Sequence, residues 1–349
     1  MNNNELVLAV DAMGGDFGPS VVVPGALSAA RSTGAKVLLV GQESAVREAL
    51  DKLPARERNE ALYDIVPASQ VVEMEEKPSE ILRTKKDSSI QVACRLVKQG
   101  QARAIVSAGH SGAAVACGMF ILGRIPGVER PALATILPTE KAPMLLLDVG
   151  ANVECRPHHL FQFGLMGTTF AQDILGYETP RLGILSIGEE EGKGNSLVKS
   201  SYDLLKMAQN LNFLGNVEGR DLFTGNVDVV VCDGFVGNVA LKLSEGLGSS
   251  LTHVLKRELL SSGLLPKVGT WLAKKAFRKF GKMVDYAEYG GAPLLGLQAV
   301  AIVCHGASNA KAIANAVTMA ATYVEKGTHK RLVDAISANE ELTRYARSV

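Results

Sequence analysis

The chain has 349 residues, 47% of them hydrophobic but only 5% aromatic, and it carries 35 glycines. That supplies a sizeable core for one large α/β unit, and the bias to small residues suits helices packed close on a sheet. Lys+Arg 37 against Asp+Glu 36 leaves a formal charge of +1, so no global field draws nucleic acid.

The first ten residues lack a basic leader and a cleavage site, so no signal peptide is expected. An apolar run over 6–10 is followed by a turn cluster over 11–20, a helix over about 21–31 and a second strand over 36–40. Further strands are expected at 104–107, 144–148, 182–187, 227–232 and 299–303. Each is almost continuously apolar, as parallel strands covered on both faces are. Alternation with helices predicts an α/β fold, a doubly wound, mostly parallel sheet with right-handed crossovers. No repeat or flexible linker breaks the chain, so residues 1–349 read as a single α/β catalytic unit. The uncharged stretch 289–310 holds four glycines and a proline, which fits a buried strand with turns rather than a membrane span. Cysteines 94, 117, 155, 232 and 304 form no CxxC pair and read as buried, reduced thiols. A soluble, cytoplasmic protein is the expectation.

One segment departs from this beat. Residues 256–282 contain eight Lys/Arg and one acid, Glu258, together with Leu264, Leu265 and the only tryptophan, Trp271. A protruding helical hairpin over 256–285 is expected, joined near 261–266, with an apolar tip flanked by basic residues such as Lys274 and Lys275. It suits a solvated surface, a dimer contact, or a reversible contact with an anionic membrane surface or an acidic protein.

The strand ends carry the chemistry, because parallel sheets bind ligands there. The turns are Asp11-Ala-Met-Gly14-Gly15-Asp16, then Ser107-Ala-Gly109-His110-Ser111-Gly112, then the stretch from Gly188 through Lys193 to Asn195, and Asp233-Gly-Phe-Val-Gly237-Asn238. Glycines let the backbone approach a ligand, and a following helix start aims free N–H groups at it, so the expected guest is an anion held in one cleft. The dinucleotide and Walker fingerprints both fail, which leaves inorganic phosphate or a small phosphorylated group and no cofactor. Lys193 is the cation inside these turns and suits phosphate. Asn238 reads as an N-cap or as an oxyanion donor, and His110 as a phosphate ligand or a cap. His158 and His159 diverge by about 100° on a helix, so no shared metal is expected. Cys304 and His305 face opposite sides of a strand, which argues against a thiol–imidazole pair.

With these turns the chain resembles the PlsX family, the phosphate acyltransferases of bacterial phospholipid synthesis. Asp11-Ala-Met-Gly-Gly-Asp16, Ser107-Ala-Gly-His-Ser-Gly-Ala113 and Leu147-Asp-Val-Gly-Ala-Asn152 carry the likeness in the first half. Ile187-Gly-Glu-Glu-Glu-Gly-Lys-Gly-Asn195, Gly215-Asn-Val-Glu-Gly-Arg220, Asp228-Val-Val-Val-Cys-Asp-Gly-Phe-Val-Gly-Asn238 and Tyr289-Gly-Gly-Ala-Pro-Leu-Leu-Gly296, with His305-Gly306, follow in family order. The family usually has SAGNTGA where this chain has His110 and Ser111.

The resemblance implies transfer of a fatty acyl group from acyl carrier protein to inorganic phosphate. It also implies a fold like the isopropylmalate dehydrogenase and phosphotransacetylase group, a homodimer, no cofactor or metal, and loose association with a membrane, where a glycerol-3-phosphate acyltransferase accepts the product. On that reading Lys193 holds phosphate, Asn238 donates to the thioester oxyanion, and Ser107 with Gly109–Gly112 cradles phosphate. Asp11, Gly14, Gly15, Asp16, Asn195, Asp233, Gly237 and His305 shape the loops or touch substrate. A phosphotransacetylase-like enzyme using coenzyme A thioesters is the nearest alternative. An isopropylmalate-type dehydrogenase would need aspartates spaced along one helix for a metal and a nicotinamide site, and neither is found.

Overall fold

The computed structural model describes residues 5–261, 263, 269–283 and 286–348. In chain order the elements are β1 (Val7–Asp11), α1 (Pro19–Thr33), β2 (Lys36–Gly41), α2 (Glu43–Asp51), β3 (Tyr63–Pro67), α3 (Pro78–Thr84), α4 (Ser89–Lys98), β4 (Ala104–Ser107) and α5 (Ser111–Cys117). Next come β5 (Ala132–Leu137), β6 (Met144–Leu147), α6 (Pro157–Phe170), β7 (Arg181–Leu185), α7 (Ser196–Met207), β8 (Asn212–Val217), β9 (Val229–Val231) and α8 (Gly234–Ser261). The chain closes with α9 (Lys274–Met283), β10 (Ala292–Leu295), β11 (Val300–Val303), α10 (Ala310–Glu325), α11 (Thr328–Ala338) and α12 (Glu340–Ser348).

These strands form one sheet in the order β3-β2-β1-β4-β11-β10-β5-β6-β9-β7-β8. The sheet is doubly covered, as the apolar strands require. Leu8 and Val10 face a layer built by α1, α2, α6, α7 and α10–α12, whereas Ala9 faces α4 and α5. Helix α6 is buried from His158 to Phe170, which explains why its sequence is apolar all round rather than on one stripe. The lower part of α8 packs through Ala240 and Leu241 on the same face as α4 and α5, over Leu137, Met144 and Val149.

The pairing is mostly parallel, as expected, but two central strands reverse it. Strand β10 is antiparallel to both β11 and β5, and β5 is antiparallel to β6. All other pairs are parallel. Three successive reversals make the group β3-β2-β1-β4-β11 run opposite to the group β6-β9-β7-β8. The carboxyl ends of the two groups therefore leave opposite edges of the sheet. The stretch 289–310, read as one strand, is the two strands β10 and β11. Pro293 disguises β10, since proline is rare in a central strand.

The basic segment, expected as a helical hairpin, begins inside a longer helix. Its first residues are the end of α8, a helix of 28 residues. Residues 269–272 are helical and α9 follows; Trp271, Lys274 and Lys275 are exposed, whereas Leu264 and Leu265 lie outside the described residues. Among the described residues no helix is long and apolar enough to cross a membrane.

Candidate active site

Three turns leave the sheet side by side, because β1, β4 and β11 are parallel neighbours. Asp11 ends β1 fully buried and ties two of these turns together. Its carboxylate accepts the Ser107 hydroxyl at 2.7 Å and the Met13 N–H at 3.3 Å. Burial pushes this carboxyl above its ordinary range, against the pull of hydrogen bonds from Ser89 and Ser107. Gly14 lies against the second turn, where a β-carbon would sit 2.5 Å from the Gly109 nitrogen. The Asp16 N–H donates to the Gly306 carbonyl at 2.9 Å, which adds the third turn. His110 is the N-cap of α5, its Nδ1 accepting the Ala113 N–H at 3.3 Å.

A second cluster forms at the opposite edge, after β6, β9 and β7. Asp148 is buried and accepts N–H groups from Leu133, Gly150, Ala151 and Asn152, and the Asn152 amide, at 2.7–3.2 Å. Desolvation raises its carboxyl above the usual range despite these donors. The start of α8 is seated on this turn. Gly234 N–H donates to the Asn152 carbonyl at 2.7 Å, and Gly237 lies so close that a β-carbon there would overlap the Asp148 carbonyl oxygen. Asp233 accepts the Phe235 and Val236 N–H groups at 3.0 and 2.9 Å, so it caps the helix. Asn238 is thereby one turn inside α8 rather than at its cap, with Gly150 against its amide.

Lys193 stands exposed on the turn after β7, its stem folded against Gly188. The neighbouring acids do not hold it: Glu189 pairs with Arg220 at 3.1 Å and Glu191 with Lys206 at 3.0 Å. Among the described residues Lys193 has no acidic partner. Asn195 caps α7 through the Val198 N–H at 2.9 Å.

Between the clusters lies a cleft of about 760 Å³. Asp16, Gly109, Ser111, Gly290 and the turn 305–307 line one rim; Asn238, Leu241, Lys242 and Glu245 of α8 line the other. The body of the cleft is apolar, floored by Leu133, Ile136, Leu137 and Val149 and continued by Leu247 and Leu251. Asp11, Gly14, Gly15, Ser107, His110, Gly112, Lys193, Asn195, Asp233 and Gly237 do not line it. The sequence reading missed Lys242, whose signal is the spacing of four from Asn238, which puts both on one face of α8. Its ammonium lies 2.9 Å from Glu245 and 3.3 Å from the His305 ring nitrogen Nε2.

The thiols nearest the cleft and the second cluster are not ready to act as nucleophiles. Cys304, at the cleft, and Cys155 are pushed up to about 12 by burial, and Cys232 well above its ordinary value by the same cause. The adjacent histidines correct an expectation, because their rings converge. His158 and His159 lie 4.3 Å apart, and both approach the carboxylate of Glu129, at 2.6 and 3.6 Å. This trio is the group among the described residues with metal-like spacing. However, His159 Nδ1 accepts the Arg156 N–H at 3.0 Å, so the ring proton sits on Nε2, the atom nearest Glu129. The arrangement is that of a buried histidine–carboxylate clamp, away from the cleft, rather than a ligand set.

A model of the family described as "Fatty acid synthesis protein" matches residues 6–331. The chain is 71% identical to the phosphate acyltransferase of Nitratidesulfovibrio vulgaris (strain DP4), over 99% of both sequences. It is 66% identical to that of Lawsonia intracellularis, over 100% of this chain and 99% of the other. In structure it is similar to a phosphotransacetylase from Streptococcus pyogenes, with TM-score 0.64 and 16% identity over 93% of this chain and 95% of that one. A branched-chain phosphotransacylase from Enterococcus faecalis V583 aligns with TM-score 0.54 and 14% identity, over 91% of this chain and 99% of that one. At such identities the likeness speaks for the fold, a mixed sheet with helices on both sides. Glycine turns, anion-friendly rims and full-length identity converge: the chain is an acyltransferase and belongs to the PlsX family of phosphate acyltransferases.

Proposed function

We propose that this enzyme transfers a fatty acyl group from the thioester of acyl carrier protein to inorganic phosphate, releasing acyl phosphate and the carrier thiol. The observation that carries this reading is the cleft itself, an apolar body with glycine-turn and amide donors on its rims and no activated nucleophile beside it. A fatty chain suits the floor of Leu133, Ile136, Leu137 and Val149, and the reacting carbonyl then meets the polar rims.

Phosphate is already an anionic nucleophile and a thiolate leaves readily, so no covalent enzyme intermediate is required. A phosphate oxygen forms the new C–O bond to the thioester carbon. The C–S bond then breaks with its electron pair on sulfur, and the thiolate takes a proton from water. Asn238 donates its amide N–H to the carbonyl oxygen as charge develops there. Lys193 compensates phosphate charge from the turn after β7. That placement is supported by the pairing of β7 with β9, which sends the turns 188–195 and 233–238 off the same edge as neighbours. Gly109 and Ser111 cradle phosphate from the opposite rim, on a turn that Ser107, His110 and Gly112 shape.

The product is amphiphilic and chemically labile, which favours delivery at a membrane surface to a glycerol-3-phosphate acyltransferase. Exposed Trp271 and Leu272 beside Lys274 and Lys275 support peripheral contact with anionic lipid. The exposed side chains Val239, Leu243, Leu247 and Val254 along α8 support a homodimer. The test is release of carrier thiol from a long-chain acyl carrier protein, with and without phosphate, beside the matching coenzyme A thioester. Release that is independent of phosphate sinks the reading. Preference for the coenzyme A thioester transfers it to the phosphotransacetylase type.

A further inference from the structure

We infer that Gly248 of α8 sets how long an acyl chain the cleft accepts. The inference deepens the proposed acyl transfer and rests on that reading for the identity of the chain. Two walls of the cleft lead away from Asn238. One is the floor along β5. It starts at Leu133, whose carbonyl accepts the Val149 N–H at 2.9 Å beside the Asp148 turn, and ends where the Glu140 N–H donates to the Phe223 carbonyl at 2.9 Å. The other is α8, which lines the cleft from Asn238 to Leu251.

The two walls are similar in reach. From Leu133 to Glu140, at strand rise, the floor spans at most about 23 Å. From Asn238 to Leu251, at helix rise, α8 advances about 20 Å. An extended chain gains about 1.2 Å per bond, as the polypeptide backbone does. With its carbonyl at Asn238, an acyl chain of about twelve carbons reaches Gly248, and one of about sixteen reaches Leu251. An octanoyl chain stops short of both.

The face of α8 that looks into the cleft passes through Leu241, Ser244 and Gly248, at spacings of three and four, and all three are half-buried. Gly246 points the other way; it is exposed and does not line the cleft. Glycine inside a helix costs stability relative to alanine, and among the described residues nothing crowds the place of a β-carbon at 248. Packing therefore gives no reason for glycine there. Its effect is the room it leaves beside Leu247 and Leu251, and a side chain at 248 would stand in the path of a long chain while leaving a short one clear.

The test is the chain-length profile of Gly248→Leu beside Gly246→Leu, each measured with palmitoyl and octanoyl thioesters of acyl carrier protein. Gly248→Leu is expected to lower the ratio of palmitoyl to octanoyl kcat/KM at least about tenfold, the worth of two or more methylenes kept from burial. Gly248→Ala lowers it less, and Gly246→Leu leaves it as in the wild type. A defect of folding or assembly lowers turnover of both thioesters alike, so the ratio isolates the cleft. An unchanged ratio in Gly248→Leu, or an equal fall in both leucine variants, overturns the inference. Should the wild-type protein show no phosphate-dependent thiol release, the acyl-transfer reading fails, and displacement of bound cis-parinaric acid by palmitate and by octanoate decides the rest. A loss of palmitate affinity confined to Gly248→Leu still upholds the length gauge. Equal palmitate affinity in the three proteins, or an equal loss in both variants, overturns it.

Discussion

Gly237 of α8 presses on the carbonyl oxygen of Asp148 so closely that only a hydrogen fits between them. This contact, with the Asp148 carboxylate holding the turn 150–152, fixes where Asn238 enters the cleft. Gly237→Ala must therefore move backbone, not a flexible side-chain end. We expect a loss of about 2 kcal/mol or more in urea unfolding, together with a strong fall in thiol release. Gly246, nine residues further along the same helix, has open space where a β-carbon would stand. Gly246→Ala should stabilise by up to about 1 kcal/mol. Equal effects at the two positions would remove the docking role of Gly237.

Lys193 is exposed and has no acidic partner among the described residues, so its replacement costs little stability. Lys193→Ala should leave the melting curve in place and lower phosphate-dependent thiol release by about two orders of magnitude. Asn238→Ala should do the same through kcat rather than through KM for phosphate. Near-wild-type rates for either variant would withdraw its assigned role.

The histidine clamp predicts an acid limb in stability. Desolvation, with His158 alongside, pushes His159 from its ordinary 6.5 down to about 4. Between those values the unfolded chain holds a proton that the folded chain does not. The stabilisation is complete above about 6.5 and declines as pH falls toward 4, by at most about 1.4 kcal/mol per pH unit from this site. His159→Gln keeps an acceptor for the Arg156 N–H and lacks the titration. Its unfolding midpoint should fall less than that of the wild type between pH 6.5 and 4.5; parallel pH profiles would show that the limb comes from other groups.

Membrane contact has its own readout. Trp271→Glu combined with Lys274→Glu should reduce co-sedimentation with phosphatidylglycerol vesicles at least several-fold, while leaving turnover of soluble substrates close to wild type. Sedimentation that does not change would assign this surface to the carrier protein or to a second subunit.

Much of the architecture was legible because buried parallel strands announce themselves as apolar runs: β1, β2, β4, β6, β7, β9 and β11 all coincide with expected strands. Strands β3 and β8 escaped because they are sheet edges, half-exposed and mixed in composition, and β10 because of Pro293; β5, alternately buried and half-buried, was missed as well. The mostly parallel direction was legible, but the reversal at the centre of the sheet was not. It depends on which partner a strand meets, and nothing in the local pattern of β10 or β5 encodes the reversal. The glycine turns were found by their residue types. Lys242 was not, because its significance lies in His305, reached only after 63 further residues.

The order of strands also constrains how the chain comes to be whole. Strand β11 lies between β4 and β10, so β4 has no partner on that side until residues 300–303 exist. On a ribosome, nearly the entire chain is made while β4 still offers a bare, apolar edge, the kind that recruits stray strands. Truncation ahead of β11 would leave that edge permanently open and take His305 with it. The part of the chain from β11 onward is thus a closing clasp, and chaperone dependence should track the delay before it arrives.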